Sequence, residues 1–164
     1  MTISDAIAKM LARCEGSQYD IGHFLKVWAY ARTIGQQEGL DEGTQRTLEL
    51  AAVVHDIACP ALRERHGSAP GNLQEQDGPP LAREFFADGL DADTLERVCF
   101  LVAHHHTFEG VEGMDWQILL EADFLVNAGE QEKYHRVIDR FRRNVFRTET
   151  GLRLLDSIYG ETPA

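Results

Sequence analysis

The sequence predicts an all-α protein, a compact bundle of about six to eight helices, and three observations lead to this fold class. Apolar residues recur at intervals of three and four along most of the chain, which is the repeat of one helix face. No stretch alternates apolar and polar residues for the length of a strand. The 164 residues, 43% of them hydrophobic, suffice for one core, so we expect a single domain over residues 1–164.

Turn-forming and capping residues set the ends of the first three predicted helices. "GSQYDIG" interrupts the periodicity after the first helix, and Gly39 is typical of a residue that ends the second. Asp41 is the expected N-cap of the third helix, which must end before Pro60 because proline interrupts a helix interior. These helices are expected over residues 3–15, 23–38 and 41–58.

Residues 59–78, "CPALRERHGSAPGNLQEQDG", are rich in glycine, proline and polar side chains, and we expect at most one short helical turn there. Such a long connection inside a compact domain is usually a functional lid or a disordered segment. A helix should restart with Pro79 or Pro80 in its first turn, where proline is best tolerated.

Four more helices complete the predicted bundle. Asp91 or Asp93 can cap "TLERVCFLVAHHH", and glycines mark the turn that follows it. "DWQILLEADFLVNAG" is a strongly apolar helix with two acidic residues inside it. The last two helices are expected near residues 131–142 and 150–159.

The composition argues against several classes of partner and location. A formal net charge of −11 disfavours a surface for duplex nucleic acid, because such surfaces need clustered Lys and Arg. The one basic cluster, "HRVIDRFRRNVFR", has its arginines at helical spacing and is read as a solvated helix face. The apolar runs are short and the amino terminus is acidic where a signal peptide would be basic, so we expect a cytoplasmic protein without membrane contact.

The three cysteines, Cys14, Cys59 and Cys99, are widely spaced and include no CxxC pair. This pattern predicts neither a disulfide framework nor a thiolate zinc site. We therefore expect buried free thiols.

Ionisable residues lie at the ends of apolar helices. His23 opens one, His55 and Asp56 close "AAVVHDIAC", and a triplet of histidines, residues 104–106, closes another. Burying an unpaired carboxylate costs several kcal/mol, so Asp56 needs a partner. Asp123 shares an apolar helix face with its neighbours in "LLEADFLVN" and needs one too.

Two explanations of these buried carboxylates remain open. One is an ion pair between Asp123 and an arginine; the other is that both carboxylates and the histidines bind one cation. A donor set of imidazoles and carboxylates suits a divalent transition metal, Mn, Fe, Ni, Co or Zn, better than Mg or Ca. Four protein ligands leave positions for water and substrate, as metal-dependent hydrolysis requires.

The order of these residues also resembles a known signature. His23, then His55 with Asp56, then the triplet, then Asp123 is similar to the H…HD…H…D pattern of the HD-domain metal-dependent phosphohydrolases. The resemblance extends over residues 20–130, with terminal helices packing on that core. It implies that His23, His55, Asp56 and Asp123 bind the first metal, and that Asp56 orients or deprotonates the attacking water.

Some branches of that family hold a second metal with additional histidines. The resemblance places one such histidine near "NLQEQDGPPLA", where this chain has Gln74 or Glu75, while His66 lies several residues early. At 100° per residue, His105 lies at the centre of the buried helix face, His106 at its edge and His104 well off it. His105 and His106 are the candidate second-site ligands, and one or two ions are expected.

Two further residues share faces with the candidate ligands. Lys26 follows His23 by three residues and is a candidate to neutralise a substrate phosphate; the alternative is a surface lysine. Asn127 follows Asp123 by one turn and is a candidate hydrogen-bond donor to its carboxylate.

The leading functional prediction is a metal-dependent phosphohydrolase that uses metal-activated water on a small phosphate ester or anhydride, a nucleotide in the first instance. The alternatives are an HD-type di-iron oxygenase and a non-catalytic metal-binding regulatory module. The substrate, the physiological metal and the oligomeric state stay open at this point.

Overall fold

The structure, a computed structural model, describes residues 1–160, and these form ten helices without any strand. Eight of the helices have eight residues or more, and α8 and α9 are shorter. The predicted all-α bundle is therefore confirmed. The helices are α1 (Ile3–Arg13), α2 (Gln18–Gln37), α3 (Glu42–Val54), α4 (Cys59–His66), α5 (Gly71–Phe85), α6 (Ala92–His104), α7 (Met114–Glu130), α8 (Glu132–His135), α9 (Ile138–Asn144) and α10 (Glu149–Tyr159).

The centre of the bundle is α7, which packs against α2 and α3. Nearly every residue from Asp115 to Ala128 is buried, because this helix is apolar on all sides and is surrounded by its neighbours. Helix α6 packs on α3, and α5 packs on α6. Within residues 1–160, no helix has both the length and the apolar character needed to cross a membrane.

Capping side chains begin several helices where the sequence predicts them. Asp41 and Asp91 accept hydrogen bonds from the backbone amides of Thr44 and Thr94, at 3.0 and 2.9 Å. The third helix ends at Val54, earlier than the predicted residue 58. The His55–Asp56 pair consequently lies in the turn between α3 and α4, outside the regular hydrogen-bonding of either helix.

Helix α2 begins earlier than predicted. Ser17 caps it by accepting a hydrogen bond from the amide of Asp20, so only a short turn separates α1 from α2. His23 therefore lies in the second turn of α2 instead of at its start. The glycine and polar residues of "GSQYDIG" predicted a break in helical structure, but one serine cap is enough to start a helix within that stretch.

The prediction of a loop over residues 59–78 is wrong, since most of it is α4 and α5. Gly67, with φ +73°, ends α4 in the left-handed conformation that glycine tolerates best. Gly78 instead faces α6, where a Cβ atom would lie 2.7 Å from Val102 Cγ1. Close packing against α6 thus compensates for the weak intrinsic helix preference of this segment.

The expected restart of a helix at Pro79 or Pro80 is also wrong, because both prolines lie inside α5. The predicted helix over residues 131–142 is divided into α8 and α9, which are separated at Arg136 and Val137. Apolar residues of α9, Ile138 and Phe141, are buried on the core.

The basic cluster on α8, α9 and the following turn faces solvent for the most part. Arg136 pairs with Glu132, and Arg142 pairs with Asp156 on α10. Cys14, Cys59 and Cys99 are buried free thiols, as predicted.

Candidate metal centre

Residues from three parts of the chain meet near the carboxyl end of α3. His23 comes from α2, His55 and Asp56 from the turn after α3, and Asp123 from the middle of α7. His23, His55 and Asp123 are each 5% exposed or less, so their polar atoms have little access to bulk water. The structure thus brings together the four residues that the sequence proposes as ligands of the first metal.

Hydrogen bonds orient the two histidine rings. His55 Nδ1 donates to the carbonyl oxygen of Ala52 at 2.8 Å, and His23 Nδ1 lies 2.8 Å from Glu130 Oε2. Both of these partners accept hydrogen bonds. In their neutral forms, the rings therefore direct unprotonated Nε2 atoms toward the same point, where the two nitrogens are 3.2 Å apart.

The two carboxylates complete this group of acceptor atoms. Asp123 Oδ1 lies 3.4 Å from the Nε2 atoms of both His23 and His55. The oxygens of Asp56 lie 3.4 Å from His23 Nε2 and 3.7 Å from His55 Nε2. Metal–donor bonds of about 2.1 Å separate the donor atoms of one ion by about 3.0 to 3.4 Å. The residues therefore fit a divalent transition metal.

The pKa values of these groups reflect the same convergence of acceptors. Burial by itself lowers the pKa of His23, but hydrogen bonds to Asp123 and Glu130 raise it to about 10. Burial raises the pKa of the Asp56 carboxyl, and the neighbouring histidines outweigh that effect and hold the pKa well below its usual range. A positive charge, either a proton or a metal ion, is thus strongly favoured among these side chains.

Outer hydrogen bonds support the ligands. Asn127 Nδ2 donates to Asp123 Oδ1 at 2.8 Å, the contact that the sequence suggested, and Gln131 in turn donates to Asn127. Glu130 links His23 to Lys26, whose Nζ lies 2.9 Å from Glu130 Oε1. The sequence analysis did not identify Glu130 as a site residue, although its spacing of seven residues from Asp123 places both on one face of α7.

A second cluster of possible ligands lies on the other side of Asp56. His105 is buried, and its Nε2 lies 3.3 Å from Asp56 Oδ1. The ring of His106 lies beside that of His105, with centroids 4.2 Å apart. His104 turns away, bonding to the carbonyl of Phe100 and stacking on its ring. These orientations are the ones that helical geometry predicts.

The structure distinguishes among the three residues proposed near the second site. Gln74 Oε1 lies 3.1 Å from His105 Nε2 and 2.9 Å from His106 Nε2. Glu75 instead accepts hydrogen bonds from the amide of His106 and the hydroxyl of Thr107. His66 is exposed at the end of α4. Only Gln74 directs its side chain between the imidazoles.

A cavity of about 460 Å³ opens beside both clusters. Among the four proposed ligands of the first metal, Asp56 has the most exposed side chain, at 27%. The remaining wall carries two cations and two aromatic rings. The residues that line the cavity are Tyr19, His23, Asp56, Cys59, Arg63, Ser68, Ala69, Pro70, Gly71, Gln74, His106, Asn127, Gln131, Lys133 and Tyr134.

Lys26, the predicted phosphate-neutralising residue, does not line this cavity. Its ammonium group contacts Glu130, and its side chain is 57% exposed. The cations that do line the cavity are Arg63 on α4 and Lys133 on α8. Sequence reasoning missed both, because neither segment has a spacing that relates it to the histidines.

Comparisons with known proteins agree with this architecture. The crystal structure of a "predicted HD superfamily hydrolase" from an uncultured Thermotogales bacterium matches with a TM-score of 0.68 at 22% identity, over 95% of this chain and 84% of that one. At this identity the similarity concerns the fold. None of the curated proteins that were compared matched the sequence. The family model of the HD domain matches residues 20–141, a span that includes all four proposed first-metal ligands. The chain therefore belongs to the HD domain family.

Proposed function

We propose that the protein is a metal-dependent phosphohydrolase acting on a small phosphate ester or anhydride. One observation carries the proposal: the buried acceptor groups of His23, His55 and Asp123 converge with the half-buried carboxylate of Asp56 at the wall of a cavity that also presents Arg63 and Lys133. Such a site combines a place for a cation with positive charge for an anionic substrate.

Each ligand has a role that follows from its contacts. His23, His55 and Asp123 are held by Glu130, Ala52 and Asn127, so they would bind the ion with little rearrangement. A bound divalent ion, Mn, Fe, Ni, Co or Zn, would acidify a water molecule and polarise a phosphoryl oxygen. Asp56 lines the cavity, so its carboxylate would orient that water and accept its proton.

The cavity supports an anionic substrate in a protein of net charge −11. Arg63 and Lys133 are its two lysine or arginine side chains, and both can bind phosphate oxygens. The guanidinium of Arg63 lies over the ring of Tyr19, and the ammonium of Lys133 lies over the ring of Tyr134, so both cations rest against aromatic side chains. We propose a nucleotide as the substrate, because a cavity of about 460 Å³ has room for more than a phosphate group.

The test is phosphate release from a panel of nucleotides and simple phosphate esters, with Mn, Co, Ni or Mg added to metal-free protein. We expect release that requires metal and falls at least about 100-fold in Asp56→Ala. Asp139→Asn, which changes an exposed aspartate on α9, is the control and should leave the rate unchanged.

The same samples distinguish the alternatives. Phosphate release by Asp56→Ala at the wild-type rate would contradict the proposal. Consumption of O₂ that depends on Fe(II), without phosphate release from any compound, would favour an oxygenase. A protein that retains metal but turns over nothing would favour a regulatory module.

A further inference from the structure

Arg63 lines the cavity from α4, a helix with few buried side chains. Of the eight residues of α4, only Cys59 and Leu62 are buried. The Arg63 side chain is 38% exposed, and within residues 1–160 its hydrogen bonds go only to Asp20 on α2. The position of this guanidinium group therefore depends on a contact between two helices.

The carboxylate of Asp20 is itself fixed at the start of α2. Its Oδ2 accepts a hydrogen bond from the hydroxyl of Ser17, the N-cap, at 2.7 Å, and its Oδ1 accepts one from Arg63. The partial positive charge of a helix amino terminus also favours a carboxylate in the first turn. The Asp20 side chain is only 14% exposed, so it presents a defined acceptor to Arg63.

An aromatic ring provides a second contact for the guanidinium group. The Cζ atom of Arg63 lies 5.9 Å from the centre of the Tyr19 ring, and that ring stacks on His23 with centroids 6.3 Å apart. Tyr19 and Asp20 precede His23 by four and three residues, so all three lie on one face of α2. One helix thus carries a proposed metal ligand and both contacts of Arg63.

We propose that Asp20 is a positioning residue, which holds the Arg63 guanidinium at the cavity wall for a phosphate group of the substrate. Asp20 contacts Nη2 of Arg63, and this leaves Nε and Nη1 as donors for phosphate oxygens. Arg63 contacts the substrate, and Asp20 acts through it. This inference rests on the proposed function, because it concerns how the same cavity binds an anionic substrate.

Asp20 has two effects on anion binding, and they have opposite signs. Its negative charge lowers the positive potential at Arg63, which by itself weakens the binding of phosphate. Its hydrogen bond restricts the rotamers of Arg63 in advance, so less conformational entropy is lost when phosphate binds. Positioning should be the larger effect, because water screens the charges of a pair whose arginine is 38% exposed.

The experiment is a calorimetric titration of the protein with inorganic phosphate in the presence of Mn²⁺. Asp20→Ala should bind phosphate about 3- to 10-fold more weakly than wild type, with an unchanged affinity for Mn²⁺. Asp20→Asn, which keeps the shape and one acceptor oxygen, should lie between them. Asp20→Ala should have no further effect on phosphate binding when Arg63→Gln is already present, because Asp20 acts through Arg63.

Asp77→Ala is the matched control. It removes the same charge and frees Arg65, which lies on α4 two residues after Arg63 but does not line the cavity. This variant should bind phosphate as wild type does. Circular dichroism should show that every variant is folded.

The outcomes separate this inference from the proposed function. Phosphate binding by Asp20→Ala that is as tight as in wild type, or tighter, would overturn the inference. An equal loss in Asp77→Ala, or no phosphate binding by wild type, would also overturn it. If Asp20→Ala alone weakens phosphate binding but wild type hydrolyses no nucleotide or ester, the inference stands and the proposed function fails.

Discussion

At the scale of single residues, the His23 ring depends on an ion pair at the edge of the site. Glu130 accepts a hydrogen bond from Lys26 and lies 2.8 Å from His23 Nδ1, while its own side chain is only 13% exposed. A carboxylate in this position fixes the tautomer of a metal-binding histidine and increases its basicity. Lys26 therefore reaches the metal centre through Glu130.

This arrangement predicts the effect of changing Glu130. Glu130→Gln keeps the shape of the side chain but removes its charge, so metal affinity should fall about 10- to 100-fold. Calorimetric titration measures it. Lys26→Gln should reduce the metal affinity much less, because the Lys26 side chain is 57% exposed and water screens its charge.

The sequence-based role of Lys26 gives a different result in the same experiment. If Lys26 binds the substrate phosphate, Lys26→Gln would raise KM severalfold and leave metal affinity as in wild type. If it acts through Glu130, KM would stay constant while the metal requirement for half-maximal activity rises.

Metal binding should also release protons. The pKa of His23 is raised to about 10, chiefly because hydrogen bonds to Asp123 and Glu130 outweigh the effect of burial. Below that pH the ring of the metal-free protein holds a proton that an ion must displace. The apparent affinity of the first ion should therefore rise with pH up to about 10, by about tenfold per unit. Titrations in buffers of different ionisation enthalpy count the protons released, and an affinity that stays constant from pH 7 to 9 would contradict this expectation.

At the scale of helices, intrinsic preferences and tertiary packing compete. Asp41 and Asp91 were predictable as caps, because side-chain capping is local in sequence. Helix α5 was not predictable, since its glycines and prolines are locally unfavourable to a helix. Gly78 becomes favourable only when Val102 of α6 lies against it, a contact that the sequence does not indicate.

The packing of α5 on α6 predicts a stability difference between two glycines. Gly78→Ala would place a methyl group 2.7 Å from Val102 Cγ1 and should lower the free energy of unfolding by about 1 to 3 kcal/mol. Gly22→Ala is the matched control: Gly22 lies inside α2, and an added Cβ there would have no neighbouring atom within 4 Å. It should be neutral or stabilise by up to about 1 kcal/mol. Urea unfolding measures the free energy of unfolding of both variants. Equal values would show that α5 does not pack this closely against α6.

The candidate site was also predictable only in part, because local sequence patterns mark some of its residues and tertiary packing defines the others. His23, His55, Asp56 and Asp123 stand out because each interrupts an apolar helix or its end, so the sequence alone indicated that they need partners. The position of the Gln74 oxygen depends on the Ala69 carbonyl and on the packing of α5 against α6. The periodicity of the sequence does not indicate either contact. Residues that line the cavity from different helices are likewise defined only by the fold.

At the scale of the whole molecule, charge is distributed unevenly. The chain carries a net charge of −11, yet its cavity wall presents Arg63 and Lys133. Acidic residues elsewhere keep the surface negative, which disfavours polyanions such as duplex nucleic acid. At the cavity wall, Lys133 and Arg63, which also pairs with Asp20, offer positive charge to a small phosphate compound.

This charge pattern predicts which substitutions affect substrate binding. Arg63→Gln and Lys133→Gln should each raise KM for a nucleotide about tenfold, while kcat changes less, because these side chains contact parts of the substrate away from the metal. Arg140→Gln, an exposed change on α9 outside the cavity, is the control. Steady-state kinetics measures KM and kcat separately. An unchanged KM in both cavity variants would exclude Arg63 and Lys133 from substrate binding.

We propose that one metal ion, used for phosphate hydrolysis, is held jointly by His23, His55, Asp56 and Asp123. The most direct test measures bound metal and nucleotide hydrolysis in the same preparations of wild type and Asp123→Asn. We expect the variant to stay folded and to lose the tightly bound ion and its phosphate release together. Hydrolysis at the wild-type rate by a variant without the ion would contradict this proposal.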